Sequence, residues 1–152
     1  MLGHVFRGSL EMTYQLIYSS QATAPMSVND LEEILVDARA GNEKCNVTGA
    51  LVYVDGVFVQ ILEGEKATVL SLMHSIGKDS RHTSVKVFHE GEIDSPMFGS
   101  WRMAYLSATP EQMAVWAGLD GTASIESILK DIHREPDHAA QLAETILRAL
   151  AP

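Results

Sequence analysis

The chain has 152 residues, 46% of them hydrophobic, and 11 Lys and Arg stand against 20 Asp and Glu for a net charge of −9, the balance of one domain of ordinary composition. That acidity argues against sequence-neutral nucleic-acid binding, which draws its affinity from neutralised phosphates, and against docking on an anionic membrane. A single cysteine, Cys45, excludes an internal disulfide framework and a multi-cysteine metal cluster, and no apolar run approaches the ~20 residues of a transmembrane helix, so a reducing, cytoplasmic setting is expected.

Residues 1–12 show neither a clear period nor a signal-peptide core and read as an extension, with Met12 a candidate original start. Thr13–Ser20 then predicts a strand, with Tyr14, Leu16 and Tyr18 on one face and Gln15, Ile17 and Ser19 on the other. Past a polar turn around Pro25, Ser27 is a good helix N-cap with Asp30 three residues on. Leu31, Ile34, Leu35 and Ala38 recur at helical spacing, predicting a helix over Val28–Ala40 that Gly41 stops. Gly49–Val54 and Val57–Glu63 are strands joined by Asp55-Gly56, a strong two-residue hairpin signal. A helix from Glu65 to Ile76 buries Val69, Leu72, Met73 and Ile76 and ends at Gly77. Strands follow at Ser84–Glu90 and Arg102–Leu106. The order β-α-β-β-α-β-β predicts an α+β fold with its helices on one face of a sheet.

After Ser107 the pattern is helical. Thr109 and Gln112 form a capping box leading to Trp116, and Gly118 and Gly121 break that helix. Ile125, Ile128, Leu129 and Ile132 mark a second helix, Pro136 interrupts, and Leu142, Ile146 and Leu150 mark a third. This tail reads as a helical cap on the domain or as a dimer or partner surface.

Gln60 is the most informative single residue, because its strand neighbours are apolar on both faces. A buried primary amide has two donors and two acceptor lone pairs to satisfy, and an unmet one costs about 1–3 kcal/mol. Two readings stand side by side: a structural glutamine bonded to backbone, and an amide that reads a polar ligand edge or rotates between partners. Tyr18 is either a core tyrosine with a satisfied hydroxyl or a functional one. Arg39 and Lys44, then Lys78, Arg81 and Lys86, each follow a predicted helix; they either complement the helix dipoles or, if those ends are neighbours, form a local anionic-ligand pocket. The six histidines lack metal-ligand spacing, no phosphate-binding glycine loop is present, and Ser19, Ser20 and Cys45 lack a nucleophile signature. Asp79 and His82 are candidates for proton work, though a loop carboxylate and histidine are commonly just solvated.

Five stretches taken together resemble the BLUF domain, the flavin-binding blue-light sensor family. They are Leu16 to Ser20, Asn42 to Leu51, Gly56 to Gly64, Ile76 to His82 and Phe98 to Met103, in family order and at family spacing. The resemblance implies a ferredoxin-like βαββαββ sandwich over 13–106, two helices on one sheet face, and a helical cap over 107–152. It implies FAD held noncovalently between the helices, with FMN or riboflavin as alternative occupants. Tyr18 becomes the electron and proton donor to the excited flavin. Gln60 becomes the switch, bonded to the flavin edge and the Tyr18 hydroxyl, and its rearrangement shifts the flavin absorption to the red. Asn42 matches the contact to the pyrimidine side of the ring. Asp79, Arg81 and His82 match positions at or beside the flavin. Ile34, Leu51, Phe58 and Ile76 match the apolar lining. Met103 and Trp101 match positions that pass the Gln60 change outward, one of them facing the flavin. Gly41 departs from the His or Asn of many members, and Ser95-Pro96-Met97 from frequent basic residues.

The expectation is a sensor without enzymatic output, signalling through an unidentified partner protein or its own homo-oligomer. The residues after Leu106 are too few for a cyclase or phosphodiesterase domain and, with Lys130, Arg134 and Arg148 their basic residues, lack a basic DNA-reading helix. The alternatives are a ferredoxin-like protein-interaction module without flavin and a small acylphosphatase-like hydrolase.

Overall fold

Asp55 and Gly56 both take a positive φ, 48° and 79°, and so close the tight hairpin that the Asp-Gly pair predicts. That hairpin joins β2 (Thr48–Val54) to β3 (Val57–Gly64) at the centre of a five-stranded sheet with β1 (Thr13–Ala22), β4 (His82–Ile93) and β5 (Ala104–Ser107). The computed structural model describes residues 12–119 and 124–150, so the expectations for residues 1–11 and for Gly121 lie outside the described residues. The strand order is β4-β1-β3-β2-β5, antiparallel except for the β2–β5 pair. Both helical crossovers skip one strand, which is the ferredoxin-like arrangement.

Helix α1 (Val28–Cys45) and helix α2 (Lys66–Gly77) cover one face. The core there contains Leu16, Leu35, Leu51, Leu62 and Val69. Helices α3 (Pro110–Trp116), α4 (Ile125–Arg134) and α5 (Pro136–Leu150) cover the other, where Met113, Ile132, Leu142 and Ile146 are fully buried beside Ile17, Val59 and Ile61. The central strands are therefore apolar on both faces for a simple reason: each face has its own helical layer.

Several boundaries differ from the sequence expectation. Helix α1 does not stop at Gly41 but runs to Cys45, and Asn46 at φ 56° supplies the left-handed cap, its N–H donating to the Asn42 and Glu43 carbonyls. A glycine inside a helix costs only about 1 kcal/mol. Here tertiary contacts outweigh it, since Asn42 in the last turn is buried and bonded to the Arg102 carbonyl. Strand β4 outruns Ser84–Glu90 at both ends because β1 offers a long partner, with register shifts at Ile17/Tyr18 and Ser19/Gln21. Strand β5 begins at Ala104 rather than Arg102, because the preceding residues turn back, with Trp101 N–H on the Phe98 carbonyl at 3.0 Å. The two sequence-predicted capping motifs form: Ser27 with Asp30, and Thr109 with Gln112.

Gly49 and Gly41 should respond oppositely to alanine. A Cβ on Gly49 would stand 1.9 Å from the Ile61 carbonyl oxygen, whereas among the described residues no atom lies within 4 Å of one on Gly41. Denaturant unfolding of the ligand-free chain should show Gly49→Ala destabilised by about 2–3 kcal/mol and Gly41→Ala stabilised by about 0.5–1 kcal/mol.

Candidate functional site

Helical spacing aims one side of each covering helix at the sheet. Ile34, Asp37, Ala38, Gly41 and Asn42 recur at three and four residues along α1, as do Leu72, Ser75 and Ile76 along α2. Between these stripes and Tyr18, Leu51, Phe58 and Gln60 of the sheet lies a cavity of about 230 Å³, closed at one end by Asp79, Arg81 and His82. Its walls are mostly apolar, and its polar groups stand at the edges.

Antiparallel register pairs Tyr18 of β1 directly with Gln60 of β3. Side chains of such a pair share a face and lie within reach of each other. The Tyr18 hydroxyl donates to Gln60 Oε1, and both residues are buried, at 2% and 6% exposure. Burial, and behind it the negative charge of Asp79, pushes the Tyr18 phenol well above its ordinary value of 10.0, so the phenol stays protonated. At the other end of the amide, Gln60 Nε2 donates to Met103 Sδ at 3.5 Å. A thioether is a weak acceptor. The amide is held firmly at its oxygen and loosely at its nitrogen.

Around the rim, Asn42 Nδ2 donates to the Arg102 carbonyl at 2.5 Å. Arg81 grips Asp79 through Nε and Nη2, at 3.0 and 2.6 Å to its two carboxylate oxygens, and reaches Asp37 of α1 through Nη1 at 3.1 Å. This ties the segment after α2 to α1. His82 is held at both ring nitrogens: Nε2 lies 2.6 Å from the Ile76 carbonyl oxygen and Nδ1 2.7 Å from Ser20 Oγ. A carbonyl only accepts, so Nε2 carries a proton, and Nδ1 shares a hydrogen bond with the Ser20 hydroxyl, which can serve in either role. His82 thus clamps the end of α2 to β1 and sets its ring edgewise near Tyr18 and Phe58, each centroid 6.4 Å away.

The structure brings Tyr18, Ile34, Asn42, Leu51, Phe58, Gln60, Ile76, Asp79, Arg81 and His82 to one cavity. Met103 stands behind Gln60, fully buried in the same core. Trp101 does not join them; it is half-buried against the opposite core, its ring 6.5 Å from that of Phe98. The anionic pocket expected from Arg39, Lys44, Lys78, Arg81 and Lys86 does not form. Of these five, Arg81 alone lines the cavity, and it is already paired with two carboxylates. Arg39 donates to the Met103 carbonyl at 3.0 Å, and Lys86 borders a groove on the far face. Sequence reading missed Asp37, Ala38, Leu72 and Ser75 as lining residues and named Gly41 as a helix stop and a departure from the family, not as lining. The α1 stripe carried the signal for Asp37 and Ala38, which follow Ile34 by three and four residues within the predicted helix.

Apolar walls with amide groups at the edges suit a flat aromatic ring system bearing donors and acceptors on its rim. Comparison with known proteins agrees. Residues 13–104 match the family BLUF, sensors of blue-light using FAD. Photoactivated adenylate cyclase subunit alpha of Euglena gracilis is 44% identical over 109 residues, which are 72% of this chain and 11% of that protein. Subunit beta of Euglena longa is 40% identical over 110 residues, 72% of this chain and 13% of that protein. The chain therefore spans only a small part of the length of these relatives. Among solved structures, the dark state of BlrB, a BLUF protein, matches with a TM-score of 0.71 at 26% identity, covering 93% of this chain and 99% of that one. The ground state of BlsA matches with a TM-score of 0.65 at 29% identity, covering 82% and 89%.

The Arg81 clamp has a pH signature. Hydrogen bonding from Arg81 pulls the Asp79 carboxyl from its ordinary 3.8 down to about 2. A lowered folded value means that the stabilisation is present above the unfolded value and is lost as pH falls from about 4 to about 2. With both side chains partly exposed, screening reduces it to about 1 kcal/mol. Unfolding curves across that window should show a shallower acid loss for Asp79→Asn than for the native chain.

Proposed function

The chain belongs to the BLUF family of blue-light sensors, which bind flavin, and from that membership we propose that it holds the flavin ring between α1 and α2 and answers light through the Tyr18–Gln60 pair. The observation that carries this reading is the buried hydrogen bond from the Tyr18 hydroxyl to Gln60 Oε1 beside the cavity. The residues present fit the group. Ile34, Leu51, Phe58, Leu72 and Ile76 would flank the ring. Gln60 Nε2, with a thioether as its only partner among the described residues, is the donor left for a rim carbonyl. The Asn42 amide oxygen, its nitrogen spent on Arg102, is left for a rim N–H.

At about 230 Å³ the cavity falls short of the ~300–1,000 Å³ of sites for drug-sized ligands. It suits the ring rather than a whole dinucleotide, and the guanidinium of Arg81 is already occupied. Recognition therefore rests on the ring, and FAD is the expected occupant by family, with FMN and riboflavin able to replace it.

When bound, the flavin supplies blue-light absorption and an excited state that withdraws an electron. Tyr18 is the neighbouring donor, and its raised pKa keeps the hydroxyl proton in place until the electron leaves. With its electron and its proton both given to the bound flavin, Tyr18 would leave Gln60 Oε1 without its donor. The amide would then rotate or tautomerise, presenting acceptor where it presented donor. Return of both electron and proton to Tyr18 would leave Gln60 in that second arrangement, offering the ring edge a different hydrogen bond. Met103, whose sulfur touched the amide nitrogen, feels the exchange directly. We propose that the output is a protein contact made by the strands and the C-terminal helices, to an unidentified partner or to another copy. Cyclase activity belongs to the much longer relatives and is not carried over.

Purified chain loaded with FAD should show a flavin spectrum that shifts reversibly to the red in blue light. Gln60→Ala and Tyr18→Phe should each abolish the normal shift while retaining flavin; a normal photocycle in either variant refutes the assignment. Riboflavin and FAD, titrated by fluorescence, should bind within about tenfold of each other, the ring supplying most of the binding energy.

A further inference from the structure

Glu63 lies three residues past Gln60 on β3 and faces the opposite side of the sheet. It is 1% exposed. Four donors converge on its carboxylate: Gln15 Nε2 at 2.9 Å, Thr48 Oγ1 at 3.3 Å, and the backbone N–H groups of Met97 at 2.9 Å and Phe98 at 2.8 Å. Only a group that accepts at both oxygens satisfies four donors. Hydrogen bonds to an ionised acceptor are roughly twice as strong as neutral ones. Two of the four come from the segment between β4 and β5, the chain that leads to Met103.

We propose that Glu63 is a positioning residue for Met103: by fastening Met97 and Phe98 to β3, it fixes the segment that sets Met103 Sδ against the Gln60 amide. The inference rests on the Tyr18–Gln60 reading and adds a route away from it. Gln60 and Glu63 belong to one rigid strand, the first touching Met103 through its side chain and the second holding the chain five residues before it. The segment is thus gripped at both ends by β3. Its far end is fixed in addition by Gly49 N–H on the Trp101 carbonyl at 3.2 Å. Between these anchors, Met103 can move only with β5, which pairs with β2 from Ala104 onward. A change at the Gln60 amide is therefore delivered to β5 instead of being absorbed by a loose loop.

The test uses the full chain loaded with FAD and reads hydrogen exchange in light and dark beside the visible spectrum. Glu63→Gln keeps the shape but offers the four donors a single acceptor oxygen. Flavin loading and the size of the red shift should match the native chain, because the variant lies on the other sheet face. Exchange at Met97 and Phe98 should rise about tenfold in the dark, the cost of one charge-assisted bond. The light–dark difference over Ala104–Ser107 should disappear, and dark recovery should change severalfold. Met103→Leu, with the clamp intact, should lose the same β5 difference without faster exchange at Met97 and Phe98. If Glu63→Gln fails to load FAD, Gln15→Met, which removes one donor, should give the same changes at smaller size. A native red shift with unaltered β5 response and recovery in these variants, or a native β5 that does not respond to light, overturns the inference alone. No red shift in the native chain refutes the photoswitch reading itself.

Discussion

The pairing register between β1 and β3 is the constraint on which the rest depends. Tyr18 opposite Gln60, Leu16 opposite Leu62, and Gln15 opposite Glu63 are consequences of one alignment. Because side chains alternate with a period of two, a slip by one residue would send Gln60 to the tail face and Glu63 into the cavity. Burial on both faces makes that slip prohibitive, since either polar group would lose its partners in an apolar layer. The same apolar residues that stabilise the sheet therefore also enforce the Tyr18–Gln60 contact.

Around that register the two faces divide the work. One holds a cavity walled by α1 and α2, and its polar groups are fixed by neighbours in or around it: Asn42 by Arg102, His82 by Ser20 and Ile76, Arg81 by Asp79 and Asp37. The other is filled by the C-terminal helices and holds the four-donor clamp on Glu63. Gln60 differs from the rim residues, because its nitrogen meets only a sulfur. A side chain anchored by a strong hydrogen bond or ion pair stays in place. A group with one strong and one weak partner has a second arrangement within reach.

Much of this was legible in the sequence, and the reasons are specific. Strands and helices followed from period, the Asp55-Gly56 hairpin from its turn chemistry, and the burial of Gln60 from apolar neighbours on both sides. Gly41 misled, because a local helix-stopping preference of about 1 kcal/mol was overridden by the contacts of Asn42 one residue later. The basic cluster misled for another reason: composition counts charges without their partners, and Arg81 reaches Asp79 and Asp37 first. Glu63 gave no signal as a clamp, since two of its donors are backbone groups more than thirty residues away, whose side chains say nothing about it.

The choice between Met103 and Trp101 follows from the same geometry. Both precede β5 and both are large and apolar, so sequence treats them alike. Gly49 N–H on the Trp101 carbonyl and the turn at Phe98 direct Trp101 to the tail core, and a bend at Arg102 and Met103 breaks strand alternation, so that Met103 lies in the cavity-side core instead. For Trp101 to take that place, the segment would have to shift by two residues, breaking the Gly49 bond and pulling Met97 and Phe98 away from Glu63. The backbone bonds that order the loop thus also leave a flexible, weakly accepting sulfur, rather than an indole, a donor only, beside the Gln60 amide.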